Sequence, residues 1–126
     1  MKSKSKDKEA LALWSEIALT RDKHRCQYPG CRRAGKHPHH IRSRTFRNTR
    51  YDTRNGIALC AYHHRFYAHG QYQEEFREFI IERMGRAEYD ALVMRSQMVC
   101  KGQDLKLVIV FLKAELRALT NGKDQS

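Results

Sequence analysis

The stretch that decides the fold runs from His39 to His64, HHIRSRTFRNTRYDTRNGIALCAYHH. Two adjacent histidines open it, and Cys60-x2-His63-His64 closes it. Between them lies a polar, basic segment without hydrophobic period, Arg42 to Arg54, followed by the short apolar run Ile57 to Cys60. Asn55-Gly56 is a turn signal, and an apolar run behind it predicts a strand. His39 to Ile41 is the expected partner strand, and the chain from Ala61 onward reads as helix. The unit is therefore a hairpin followed by a helix, with a long loop inside the hairpin. Two strands bury too little to stand alone. A structural metal and flanking helices are expected to support them.

Outward from this centre the chain is helical. Leu11, Leu13, Trp14, Ile17 and Ala18 recur at helical spacing, which predicts an amphipathic N-terminal helix over residues 6–22. Arg21 to Cys31 is polar and contains Pro29-Gly30, so it turns. Phe76, Phe79, Ile80 and Met84 mark one face of a helix from Gln73 to Met84, which Gly85 ends. A further helix is expected from Ala87 to Met98. The last, from Leu105 to Leu119, has Asp104 as its N-cap and Asn121-Gly122 at its close. Val108-Ile109-Val110 admits a strand, but the helix formers from Leu112 to Leu116 favour helix. The expected fold is α+β and mostly helical. It is one domain over residues 1–126, with a hairpin-helix core at 24–69 and a helical extension at 72–120.

Charge narrows the partners. The net charge is +11, and residues 21–54 carry eleven basic against two acidic side chains. All seven histidines and three of the four cysteines fall between His24 and His69. A basic patch coinciding with a Cys/His cluster points to a polyanion held where metal chemistry occurs. Arg42, Arg44, Arg47, Arg50 and Arg54 punctuate the loop at positions suited to DNA phosphates rather than base edges. No apolar run reaches the ~18–20 residues a membrane span needs. The basic N-terminus lacks the apolar stretch of a secretory signal. The reading is a cytoplasmic protein.

Without an export signal, the cysteines read as metal ligands rather than disulfides. Cys26-x4-Cys31 and Cys60-x2-His63 are two half-sites with the spacing of one tetrahedral zinc ion. Four ligands close the sphere, so this Zn2+ is structural. Which of His63 and His64 completes it stays open, because adjacent helical residues point about 100° apart. Cys100 reads as a partly buried free thiol. His39, His40 and the remaining helical histidine are then left over. Neighbours in a strand point to opposite faces, so one of His39 and His40 can bind a second metal while the other reaches a water beside it. His64 can supply the other ligand. Two imidazoles suit Mn2+, Ni2+, Co2+ or Zn2+ better than Mg2+, and Mn2+ is the expected activator. Asn55 stands where its amide can bridge backbone and hold the loop. His37 and His69 are expected as phosphate contacts or surface residues rather than ligands, His69 lying off the helical face of His64.

In this order, His39-His40-Ile41, Asn55-Gly56-Ile57 and Leu59-Cys60-x-x-His63-His64 resemble the three elements of the HNH endonucleases, the ββα-metal nucleases. The resemblance spans residues 24–69, and is nearest in character to zinc-containing bacterial and phage proteins, some of which nick one strand. It implies a metal-dependent DNA endonuclease with His40 as general base and Asn55 orienting base and loop. His39 and His64 would hold the catalytic cation, and Cys26, Cys31, Cys60 and His63 the structural zinc. His63 departs from the commoner fourth cysteine. The competing expectation is a zinc-stabilised DNA-binding module without catalysis. One ββα unit cuts one strand, so a monomer would nick. The last helix suits either core or a dimer face, which leaves monomer and homodimer open.

Overall fold

The computed structural model describes residues 2–124, a mostly helical α+β protein with one two-stranded antiparallel sheet. Helix α1 spans Lys2–Arg21, strand β1 His37–His40 and strand β2 Gly56–Leu59. A π-helical segment follows at His63–Ala68, then α2 at Gln73–Met84, α3 at Arg86–Gln97 and α4 at Leu105–Asp124. The helix at α2 keeps its expected bounds, because Gly85 at φ 88° turns the chain out of it. α1 is longer than its apolar period implied, and both strands begin earlier than expected. No helix among the described residues is long and apolar enough to cross a membrane.

The strands pair in the register His37 with Leu59, Pro38 with Ala58, His39 with Ile57 and His40 with Gly56. Asn55-Gly56 is therefore not a tight turn. Asn55 ends a 3-10 turn at Thr53–Asn55, and Gly56 is already in the strand. The hairpin loop is the whole basic segment between His40 and Gly56. β2 is buried along its length, as expected of a short unbroken apolar strand with helices on it.

Two apolar clusters hold the fold. In one, Ile57, Leu59, Cys26 and Cys60 pack with Phe76 and Ile80 of α2. In the other, Ala10 and Ile17 of α1 pack with Ile109 and Leu112 of α4. The apolar stretch Leu107 to Leu112 is thus core on one side only. Leu107, Val110 and Phe111 are exposed on the other.

The hairpin loop is fastened to α1 at three points. Asp7 accepts from Arg50 Nη2 at 2.8 Å and from the Tyr51 hydroxyl. Trp14 Nε1 donates to the Asp52 carbonyl at 2.9 Å. Arg21 donates to the carbonyls of Thr53 at 2.7 Å and Gly56 at 2.6 Å. These three residues are seven apart. Seven residues fall about 20° short of two full turns, so all three lie along one stripe of α1.

Candidate metal centres

Asp22, buried at the end of α1, positions β2 from outside the sheet. Its carboxylate accepts from the Ala58 amide at 2.9 Å and pairs with Arg21 and Arg83. β2 then delivers Cys60 to the start of the following helical turns. The backbone bond from the His64 amide to the Cys60 carbonyl is 2.9 Å, an ordinary α turn. From there the helix widens, and the His69 amide bonds to the His64 carbonyl at 3.2 Å, five residues back.

Cys26, Cys31, Cys60 and His63 bring one donor atom each to within 4.8 Å of one another. Cys26 Sγ lies 3.5 Å and Cys60 Sγ 3.3 Å from His63 Nδ1, and the Cys31 and Cys60 sulfurs are 3.9 Å apart. A tetrahedral ion with Zn–S of about 2.3 Å places its donors about 3.5–3.8 Å apart, so the donors fit. All three cysteines are free thiols, not paired in disulfides. Burial pushes the Cys26 thiol up to about 11. Such a group ionises at neutral pH only beside a cation. Tyr28 stacks on the His63 ring at 4.4 Å and holds its orientation. This cluster could hold a metal ion such as zinc.

The second cluster consists of His39, His64 and His69, with one nitrogen of each within the same 4.8 Å. The structure thus separates the adjacent histidines: His63 faces the thiolates and His64 faces His39. His69 is exposed, as expected, but it does not lie off the face of His64. On an α-helix it would lie about 140° around from His64. The wider π-helical segment, whose backbone bonds run five residues back, returns His69 one turn below His64 and so brings the two rings together. The ring centroids of His39 and His69 are 4.9 Å apart, and those of His64 and His69 4.7 Å. The site therefore offers three imidazoles rather than two. Gly70 permits this geometry. A Cβ there would sit 2.6 Å from Phe66 Cα and carbonyl oxygen. The only sequence signal for it was the glycine just after His69.

Burial, then repulsion by His69, His64 and His40, lowers His39 to about 3. Burial also lowers His64, with His69 and His37 acting the same way. Both shifts favour the neutral ring, the form that binds a metal. His37 stacks on His64 at 5.2 Å but remains exposed and outside the three-donor group.

His40 leaves β1 on the other side and still borders the same cleft. That cleft, about 400 Å³, is lined by His39, His40, Ser43, Arg44, His64 and His69. His40 Nε2 lies 3.0 Å from the Arg50 carbonyl oxygen. A carbonyl only accepts, so Nε2 carries the proton and Nδ1 keeps its lone pair. Burial lowers the His40 pKa, with Arg44 and Arg50 adding to the effect and the Arg50 carbonyl opposing it.

Asn55 is fully buried and ties the two ends of the loop. Its Oδ1 accepts from the Arg42 amide at 2.6 Å, and its Nδ2 donates to the carbonyls of Arg42 at 2.9 Å and Thr49 at 3.0 Å. Its side-chain hydrogen bonds go to Arg42 and Thr49, not to His40. Asn55 holds the Thr49–Arg50 turn, whose next carbonyl accepts from His40.

The five loop arginines divide. Arg42 donates to Ser96 and lies over Phe46, Arg50 pairs with Asp7, and Arg54 pairs with Asp52. Arg44 and Arg47 are exposed, and Arg44 stands at the mouth of the histidine cleft. Cys100 is half-buried and free in the link between α3 and α4. No family model, curated protein or solved structure matches this chain.

Proposed function

We propose that the protein is a metal-dependent DNA endonuclease of the HNH type that hydrolyses phosphodiester bonds and nicks one strand. The observation that carries this reading is His40. It borders the cleft of His39, His64 and His69, with its outer nitrogen tied to a carbonyl and its other nitrogen free to take a proton.

Cys26, Cys31, Cys60 and His63 would hold Zn2+ as a structural clamp on the base of the hairpin. His39, His64 and His69 would hold a divalent cation, which when bound supplies Lewis-acid stabilisation to the phosphate and the leaving oxygen. Three imidazoles favour Mn2+, Ni2+, Co2+ or Zn2+ over Mg2+. His40 Nδ1 takes the proton from the attacking water as general base, and Nε2 keeps its own proton on the Arg50 carbonyl. Arg44 and Arg47, which pair with no acid among the described residues, would grip the backbone. Arg42, Arg50 and Arg54 then serve mainly to shape the loop. The charge of residues 21–54 suits DNA held through phosphates, with a salt-sensitive affinity.

The test is a plasmid assay. Purified protein with Mn2+ should convert supercoiled DNA to the nicked form, and His40→Ala should lower that rate by about 10²–10⁴-fold with zinc content unchanged. Intact plasmid with Mn2+, Mg2+, Ni2+, Co2+ and Zn2+ alike would overturn the nuclease reading. DNA binding without cutting would leave a zinc-stabilised binding module.

A further inference from the structure

His40 has a neighbour that lies outside the stretch carrying the chemistry. The indole of Trp14, in α1, lies flat against its imidazole, with centroids 3.6 Å apart and planes within 6°. Trp14 is 1% exposed. It is fixed independently of the histidine. Its Nε1 donates to the Asp52 carbonyl at 2.9 Å, and its six-membered ring rests against the backbone of Gly56. A Cβ on Gly56 would come 2.8 Å from Trp14 Cζ2, so the glycine is what lets the indole in. Gly56 is also the register partner of His40. The slot is thus made where β1, β2 and α1 meet.

An imidazole on a strand end can turn about its Cβ–Cγ bond, which puts a ring carbon where each nitrogen stood and breaks the bond from Nε2 to its carbonyl. A single hydrogen bond to a carbonyl opposes that turn weakly. An aromatic plate in stacking contact opposes it strongly, because the ring must lift out of contact to rotate. In many hydrolytic sites a carboxylate orients the base. Here the Arg50 carbonyl and the indole share that work, one fixing the proton and the other the plane.

We infer that Trp14 is a positioning residue for His40, holding the imidazole in one orientation and one tautomer so that Nδ1 faces the three-histidine cleft. This rests on the nuclease reading for its purpose but not for its physical content. Being buried, Trp14 contributes nothing to DNA binding.

Two measurements on the full-length, zinc-loaded chain test it. In nitrogen-correlated NMR of the imidazoles, wild-type His40 should be the Nε2–H tautomer. Its ring protons should be displaced upfield by the indole, and the chain has a single tryptophan to cause this. Trp14→Leu should abolish the displacement and mix the tautomers, while Trp14→Phe should keep both features. In the plasmid assay Trp14→Leu should lower kcat by about ten- to hundredfold with KM unchanged, and Trp14→Phe should restore most of it. An undisplaced or Nδ1–H His40 in the wild type would overturn the inference, even if Trp14→Leu failed to fold. So would a folded Trp14→Leu protein with wild-type resonances and kcat. A wild type that shows the NMR signature but never nicks DNA would sink the nuclease reading and leave the positioning intact.

Discussion

The two donor clusters sit on either side of one peptide bond, yet their construction is opposite. At the Cys26, Cys31, Cys60 and His63 cluster, four donors from a turn, a strand end and a helix start close on one point. At the His39, His64 and His69 cluster, three donors converge and the remaining side faces a cleft. The first arrangement leaves no position for a reactant. The second leaves room for one. Donor number separates the two clusters, and the helix phase between His63 and His64 does the sorting.

That contrast can be broken from either side. The largest effect is expected from Cys26→Ser, or from a strong chelator. Losing a structural zinc forfeits folding free energy on the order of 10 kcal/mol. The hairpin unit should unfold, seen as lost zinc and collapsed dispersion of the His39 and Ile57 amide signals. A Cys26→Ser protein that stays folded and active would show that the thiolate cluster is no clamp.

A smaller effect should follow from His69→Ala: binding of the second ion should weaken by at least the roughly hundredfold that losing an outer-shell partner can cost, since His69 would be a direct ligand. Cobalt titration separates the two sites, since only the thiolate cluster can give sulfur-to-cobalt charge-transfer absorption. The variant should keep that band and lose the weaker nitrogen-site spectrum. Unchanged affinity at the second site would return His69 to the surface role its sequence position implied.

The smallest change is expected from Gly70→Ala. The added methyl meets backbone of Phe66 and Arg65 rather than a side chain that can move aside. Overpacking of this kind costs about 1–3 kcal/mol. Melting temperature should fall and second-site affinity should weaken, with the zinc-to-protein ratio unaltered. Equal loss at both sites would mean that the π-helical turn serves the clamp as much as the cleft.

What the sequence allowed one to read follows from which interactions are periodic or local. α2 was legible because Phe76 and Ile80 recur at helical spacing and Gly85 stops them. The two half-sites Cys26-x4-Cys31 and Cys60-x2-His63 were legible because their spacing is a local constraint. His69 was not, since a π-helical turn leaves no hydrophobic period of its own and an α-helical phase sends the residue elsewhere. The assignment of His63 against His64 needed the same phase. The partners of Arg50 and Arg54 were hidden for another reason. Asp7 is forty-three residues from Arg50, and nothing in an aperiodic loop announces which helix it lies on. Trp14 read as core because it is core. Its contact with His40 exists only once α1 is laid across the hairpin.

The seven-residue stripe of Asp7, Trp14 and Arg21 also has a consequence for transplanting this chemistry. A segment cut at 24–69 carries every metal donor and leaves behind the three α1 fasteners of the loop, along with the α3 groups that hold Arg42 and Asn48. A host scaffold would therefore have to bring a helix of its own. That helix must offer a carboxylate, an indole and a guanidinium at two-turn intervals along about 21 Å of its length.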